Sequence, residues 1–189
     1  MDLNTILLIG KPGSGKGTQA KLLSEKTGWP IHAAGDKFRE LAGQNTTVGR
    51  KLKSELDQGL LMPEWFATYL FQKTALDLLD PESGVIFDGF GRKAPEAKIV
   101  MSVLDWLERP YTAIHIKVSD AEIIDRLTKR SAVSGRADDN AIEKRLEEYR
   151  TFTEVSINVF REAGKLVEIE GEGSVEEIQA RIREAAGIK

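Results

Sequence analysis

The sequence contains no cysteine. That excludes disulfides, thiolate metal sites and a cysteine nucleophile, and it agrees with a reducing compartment. There are only two histidines, His32 and His115. Neither has a carboxylate or partner histidine at ligand spacing, so both are expected as packing or surface residues. No apolar run approaches the roughly 20 residues that span a bilayer, and Met1-Asp2-Leu3-Asn4 lacks the basic start of an export signal. Positive charge is not in excess either. The net charge is −3 and the pI about 5.6, so no global field favours nucleic acid or an anionic membrane. Internal repeats, low-complexity tracts and Pro/Ser-rich linkers are also absent. A cytoplasmic protein without nucleic-acid or membrane partners is expected, and any anionic ligand must be met locally.

What is present suits one domain: 189 residues, 41% of them apolar, are enough for a single sizeable core. Short apolar, β-branched runs at Thr5-Ile9, Trp29-Ala33, Val85-Asp88, Ala113-Val118 and Leu166-Ile169 predict buried parallel strands. Helical patterns lie between them, at Lys16-Thr27, Asp36-Ala42, Val48-Asp57, Pro63-Leu79, Pro95-Leu107, Asp120-Arg130 and Ala141-Ala163. A last helix, Ser174-Ala186, carries a capping-box pattern in Ser174 and Glu177. Alternation of this kind predicts an α/β fold, a five-stranded parallel sheet between two helical layers, with ligands beyond the carboxyl ends of the strands. The core is expected to comprise 1–34, 65–130 and 138–189. Two insertions too poor in apolar residues for their own cores, 35–64 and 131–137, are expected as mobile flaps.

The run Gly10-Lys11-Pro12-Gly13-Ser14-Gly15-Lys16 follows a predicted strand and opens a predicted helix, the context of a phosphate-binding P-loop. Glycines let successive N–H groups aim inward, the helix N-terminus adds positive potential, and Lys16 adds a full charge. The next residue is Gly17, where switch-type P-loop proteins place a Mg²⁺-holding hydroxyl; Thr18 comes one place later.

The pattern Gly-x-Pro-Gly-x-Gly-Lys-Gly-Thr resembles the nucleotide loop of the adenylate kinases and wider nucleoside monophosphate kinases, in which glycine after the lysine is normal. Further segments follow in the family's order. Ala33-Ala34-Gly35-Asp36-Lys37-Phe38-Arg39 resembles its monophosphate-binding turn, with Ala34 closer to the uridylate and cytidylate kinases. Gly59-Leu60-Leu61-Met62-Pro63 resembles the segment packed against the acceptor base, although plain helix packing also accounts for Leu61 and Met62. Phe87-Asp88-Gly89-Phe90-Gly91-Arg92 resembles its Asp-Gly-Phe-Pro-Arg, with Gly91 for proline, and the same chain path with more mobility is expected there. Glu96 stands in place of a base-reading glutamine; a carboxylate only accepts hydrogen bonds, which suits cytosine or guanine at least as well as adenine. Asp125-Arg126 and Lys129-Arg130 resemble the lid helix, and SGRADD the lid's return.

The resemblance implies a Mg²⁺- and ATP-dependent phosphotransferase acting on a nucleoside monophosphate, with AMP as the expected acceptor and a monomer as the expected state. ATP would meet Gly13, Ser14, Gly15, Lys16, Gly17, Thr18, Arg126, Arg130 and Gly173, although a plain turn also explains Gly173. The acceptor would meet Ala34, Gly35, Arg39, Leu60, Leu61, Met62, Gly89, Arg92, Glu96, Arg136 and Arg145. Lys16, Arg92, Arg130, Arg136 and Arg145 would stabilise the transferring group, and Asp88 would orient Mg²⁺-bound water, no protein side chain ligating the ion directly. The lid is the short type without a Cys/His cluster, so no zinc is expected. The segment Asp139-Lys144 is about two residues shorter than the family's, with Asn140 expected to cap the next helix. A CMP/UMP or GMP kinase, and a non-catalytic ATP-binding regulator, remain alternatives.

Overall fold

The computed structural model describes residues 3–78, 83–134 and 141–188. Five strands, β1 (Thr5–Gly10), β2 (Ile31–Ala33), β3 (Val85–Asp88), β4 (Tyr111–Lys117) and β5 (Leu166–Glu170), form one parallel sheet in the order β2-β3-β1-β4-β5. Nine helices are described: α1 (Lys16–Thr27), α2 (Ala34–Ala42), α3 (Thr47–Asp57), α4 (Glu64–Leu78), α5 (Ala94–Trp106), α6 (Asp120–Ser134), α7 (Ile142–Glu148), α8 (Glu154–Glu162) and α9 (Val175–Ala186).

The β1 sequence explains both layers. Successive side chains of a strand point to opposite faces. Leu7 and Ile9 enter one core with Phe71, Phe87, Tyr149 and Phe160; Ile6 and Leu8 enter the other with Leu23, Ile114, Ile123, Leu127 and Ile182. Each fully buried side chain of this size contributes about 1.5–3 kcal/mol. With β3 on one side and β4 on the other, every β1 residue is buried. The registers Leu8↔Asp88 and Gly10↔Ile116 bring the carboxyl ends of three strands to one edge.

Helix boundaries follow local chemistry. α1 ends where Gly28 turns left-handed at φ 75° and its N–H reaches Ser24 O. α9 starts with the expected capping box, Ser174 Oγ accepting from the Glu177 N–H and Glu177 Oε2 from the Ser174 N–H.

Three expectations need correction. α2 begins at Ala34, two residues early, so Ala34 and Gly35 form its first turn. α6 runs on to Ser134, past the expected end at Arg130. The single helix expected at Ala141-Ala163 is interrupted by a π turn, Tyr149–Thr153, in which the Glu154 N–H bonds back five residues to Tyr149 O. Across this turn Phe152 is exposed and Thr153 is buried. Residues 135–139 of the SGRADD return, and Asn140 as a cap, lie outside the described residues. Among the described residues no helix is long and apolar enough to cross a membrane.

Candidate active site

The loop between β1 and α1 turns on glycines at positive φ, where other residues would be strained. Gly13 sits at φ 82°, and a Cβ there would stand 2.8 Å from Leu127 Cγ, so the loop lies directly on α6. Gly15, at φ 91°, is the N-cap of α1; among the described residues no side chain caps that end, which leaves the first-turn N–H groups for a ligand. Ser14 is buried and its N–H closes the turn onto Lys11 O at 3.1 Å. Lys16 Nζ curls back to Gly10 O and Lys11 O, both at 2.8 Å, and to Ser14 Oγ at 3.3 Å. Three acceptors match the three protons of an ammonium group.

Burial pulls the Lys16 pKa down to about 7, Asp88 opposing and Arg92, Arg145 and Arg130 adding to the fall. Asp88, Arg92, Arg145 and Arg130 therefore lie within electrostatic reach of Lys16. Asp88, at the end of β3, faces the start of α1: its Oδ2 is 3.7 Å from where a Gly17 Cβ would be. Burial raises the Asp88 pKa, while Lys16 and Arg92 hold it down. Among the described residues no group of three or more His, Asp or Glu side chains is set to hold a metal ion.

Next to this centre is a cleft lined by Ala34, Gly35, Arg39, Leu60, Leu61, Met62, Gly89, Arg92, Glu96 and Arg145. These are the expected acceptor residues apart from Arg136, which lies outside the described residues. The missing side chain of Gly35 makes room for the Arg39 guanidinium, whose Nη2 would be 3.1 Å from a Cβ there and pairs with Asp36 Oδ1 at 2.5 Å. Glu96 is 4% exposed, and its Oε2 accepts from the Arg92 N–H at 2.9 Å. Burial raises its pKa, against the Arg92 and Lys93 amides. Gly91 departs from expectation: its φ of 68° lies in the left-handed region. Proline, fixed near −65°, cannot follow this path.

Phe38 and Gly59, within the segments expected there, also line it, and sequence reasoning missed three lining residues: Leu56, Ala67 and Glu148. Glu148 is 9% exposed, and its Oε2 accepts from the Leu61 N–H at 3.0 Å, joining the α3–α4 connection to α7. A glutamate between the apolar Leu146 and Tyr149 in the expected helix Ala141-Ala163 was its available signal.

On the other side of the phosphate loop, Arg126 Nε pairs with Glu122 Oε1 at 2.6 Å and its Nη2 donates to Gly171 O at 3.2 Å. Arg126 and the Gly171-Glu172-Gly173 turn are thereby brought together. A Cβ on Gly173 would be 2.5 Å from Glu177 Oε2, so the capping box fills that space. His115 also departs from expectation. Its Nδ1 is 3.0 Å from Glu168 Oε1 on the neighbouring strand and its Nε2 2.9 Å from the Tyr149 hydroxyl. Burial lowers its pKa, Glu168 opposing.

A family model described as adenylate kinase matches residues 8–165. The chain is 37% identical over 183 residues to the adenylate kinase of Parabacteroides distasonis, covering 95% of this chain and 96% of that one. It is 36% identical over 213 residues to that of Ruminiclostridium cellulolyticum, with 97% and 99% covered. Against that of Corynebacterium glutamicum it is 37% identical over 185 residues, with 96% and 98% covered.

Proposed function

The chain belongs to the adenylate kinase family, and on that premise we propose that it transfers the γ-phosphoryl group of Mg²⁺-ATP reversibly to AMP, giving two ADP. What supports this is Lys16 in the phosphate loop, with Asp88, Arg92, Arg130 and Arg145 within its electrostatic reach, next to a cleft lined by Arg39, Arg92 and Arg145.

Each residue then has a role. The N–H groups from Gly13 to Thr18 and the Lys16 ammonium hold the donor phosphates, Lys16 exchanging its bonds to Gly10 O and Lys11 O for phosphate oxygens. Arg126 and the turn ending at Gly173 receive the donor base. Arg39 and Arg92 hold the acceptor phosphate, for which a planar, permanently charged fork is suited. Gly59 to Met62 form the apolar wall of the base site. Arg130, Arg136 and Arg145 neutralise charge on the transferring oxygens. No general base is required, because the acceptor oxygen belongs to an ionised phosphate; catalysis comes from positioning and charge stabilisation. Bound Mg²⁺ would supply further charge neutralisation at the donor phosphates, with Asp88 the residue to hold its water. Closure of 35–64 and 131–137 over the cleft would exclude water and limit ATP hydrolysis. The proposal carries with it a monomer in the cytoplasm.

Ala34 and Glu96 both line the acceptor cleft and favour a second reading, a pyrimidine or guanine monophosphate kinase of the same fold. A non-catalytic ATP-binding regulator would have no use for Arg39, Arg92 and Arg145 in that cleft. The test is phosphorus NMR of the chain with Mg²⁺-ATP and AMP. Conversion to ADP that stops without Mg²⁺ supports the proposal; no ADP at micromolar protein over hours contradicts it.

A further inference from the structure

The peptide joining Gly91 to Arg92 is held at both polar ends by side chains from helices. Its carbonyl accepts from the Ser156 hydroxyl of α8. Its N–H donates to Glu96 Oε2 of α5 at 2.9 Å. Ser156 is completely buried and Glu96 nearly so. Because carbonyl and amide lie in one rigid plane, holding both fixes the rotation of that plane about the chain.

The turn before it is equally constrained. Gly91 is at φ 68°, where side chains are rarely tolerated, and a Cβ there would lie 3.1 Å from Phe160 Cζ. Ser156 and Phe160 are four residues apart on α8 and share a face. One binds the Gly91 carbonyl and the other supports its Cα, so together they seat the turn. Arg92 leaves the clamped plane directly into the acceptor cleft, beside Arg39 and Arg145. A guanidinium that must meet a phosphate through two parallel hydrogen bonds tolerates little error in the backbone that carries it.

We propose that Ser156 and Glu96 are positioning residues that clamp the Gly91–Arg92 peptide, so that the Arg92 guanidinium is aimed at the acceptor phosphate before the nucleoside monophosphate arrives. This rests on Arg92 binding that phosphate. It also gives Glu96 a role that does not depend on which base the cleft accepts: its carboxylate takes the Arg92 amide just before α5.

The test is steady-state kinetics of the full chain with Mg²⁺-ATP and AMP, alongside thermal unfolding. Ser156→Ala should raise KM for AMP about tenfold, equivalent to about 1.4 kcal/mol, and leave KM for ATP within about twofold. Ser156→Thr, which restores the hydroxyl, should return KM for AMP to within about threefold of the parent. Should Ser156→Ala fold poorly, Ser156→Cys, with a weaker donor of similar volume, is expected to move the same constant the same way. Glu96→Ala should act like Ser156→Ala, and the double variant should cost less than the product of the two, because one peptide is released only once. A fall in melting temperature with both KM values unchanged would overturn the clamp, as would equal rises in both. Arg92→Ala separates the two levels. If it leaves KM for AMP unchanged, the functional reading of Arg92 fails; if it raises that KM while Ser156→Ala does not, only the clamp fails.

Discussion

The donor and acceptor ends of the cleft are built on different plans. The donor phosphates are met by one contiguous stretch, Gly10 to Thr18, whose backbone does most of the binding and whose shape follows from three glycines at positive φ. The acceptor cleft is assembled from α2, the α3–α4 connection, the β3–α5 turn and α7, and its side chains are held by contacts such as Glu148 to Leu61, 87 residues apart. A contiguous site needs only local conformation to be right. A composite one depends on the packing of the whole domain, and its specificity can shift through residues far from the ligand.

Substitutions at the two ends should separate accordingly. The largest effect is expected at the donor loop: Lys16→Ala should lower kcat about 10²–10³-fold, since one preorganised charge on the transferring group is removed, while AMP binding measured by calorimetry stays near the parent. Arg92→Ala should show the complementary pattern, raising KM for AMP roughly 10- to 100-fold through loss of charge-assisted hydrogen bonds and leaving ATP affinity unchanged. Gly91→Pro restores the residue of the family pattern, yet here it should raise KM for AMP and lower the melting temperature by roughly 2–10 °C, because proline cannot reach φ 68°. A variant as active and stable as the parent would break the distinction between this turn and a proline path.

The smallest effect concerns the contact that pins the π turn. His115 has its pKa lowered by burial from 6.5, so between that value and the lower folded one the unfolded chain binds more protons than the folded protein. Its contribution is therefore present above pH 6.5 and is lost as pH falls towards the folded value. His32 is lowered with the same sign, so the comparison is between variants: the melting temperature should drop less from pH 7.5 to pH 5.5 in His115→Asn than in the parent.

Those same contrasts explain what could be read from the sequence. The α/β alternation, all five strands and the phosphate loop were legible because each depends on local periodicity or on glycine placement. Arg39, Arg92, Glu96 and Arg145 were placed in the cleft by motif order. The conformation of Gly91 was not legible, since glycine permits both signs of φ and the choice is made by Ser156 and Phe160, some 65 residues on. The His115–Glu168 pair was invisible for a similar reason: the two residues face each other only because β4 and β5 pair in that register. The π turn has no period of its own, and the stripe from Leu146 to Phe160 reads as one helix.

Whether the composite cleft accepts AMP is decided by turnover with AMP, CMP, UMP and GMP side by side, at fixed Mg²⁺-ATP. The highest kcat/KM is expected for AMP, falling selectively through KM in Arg92→Ala. AMP as the poorest of the four acceptors would contradict it.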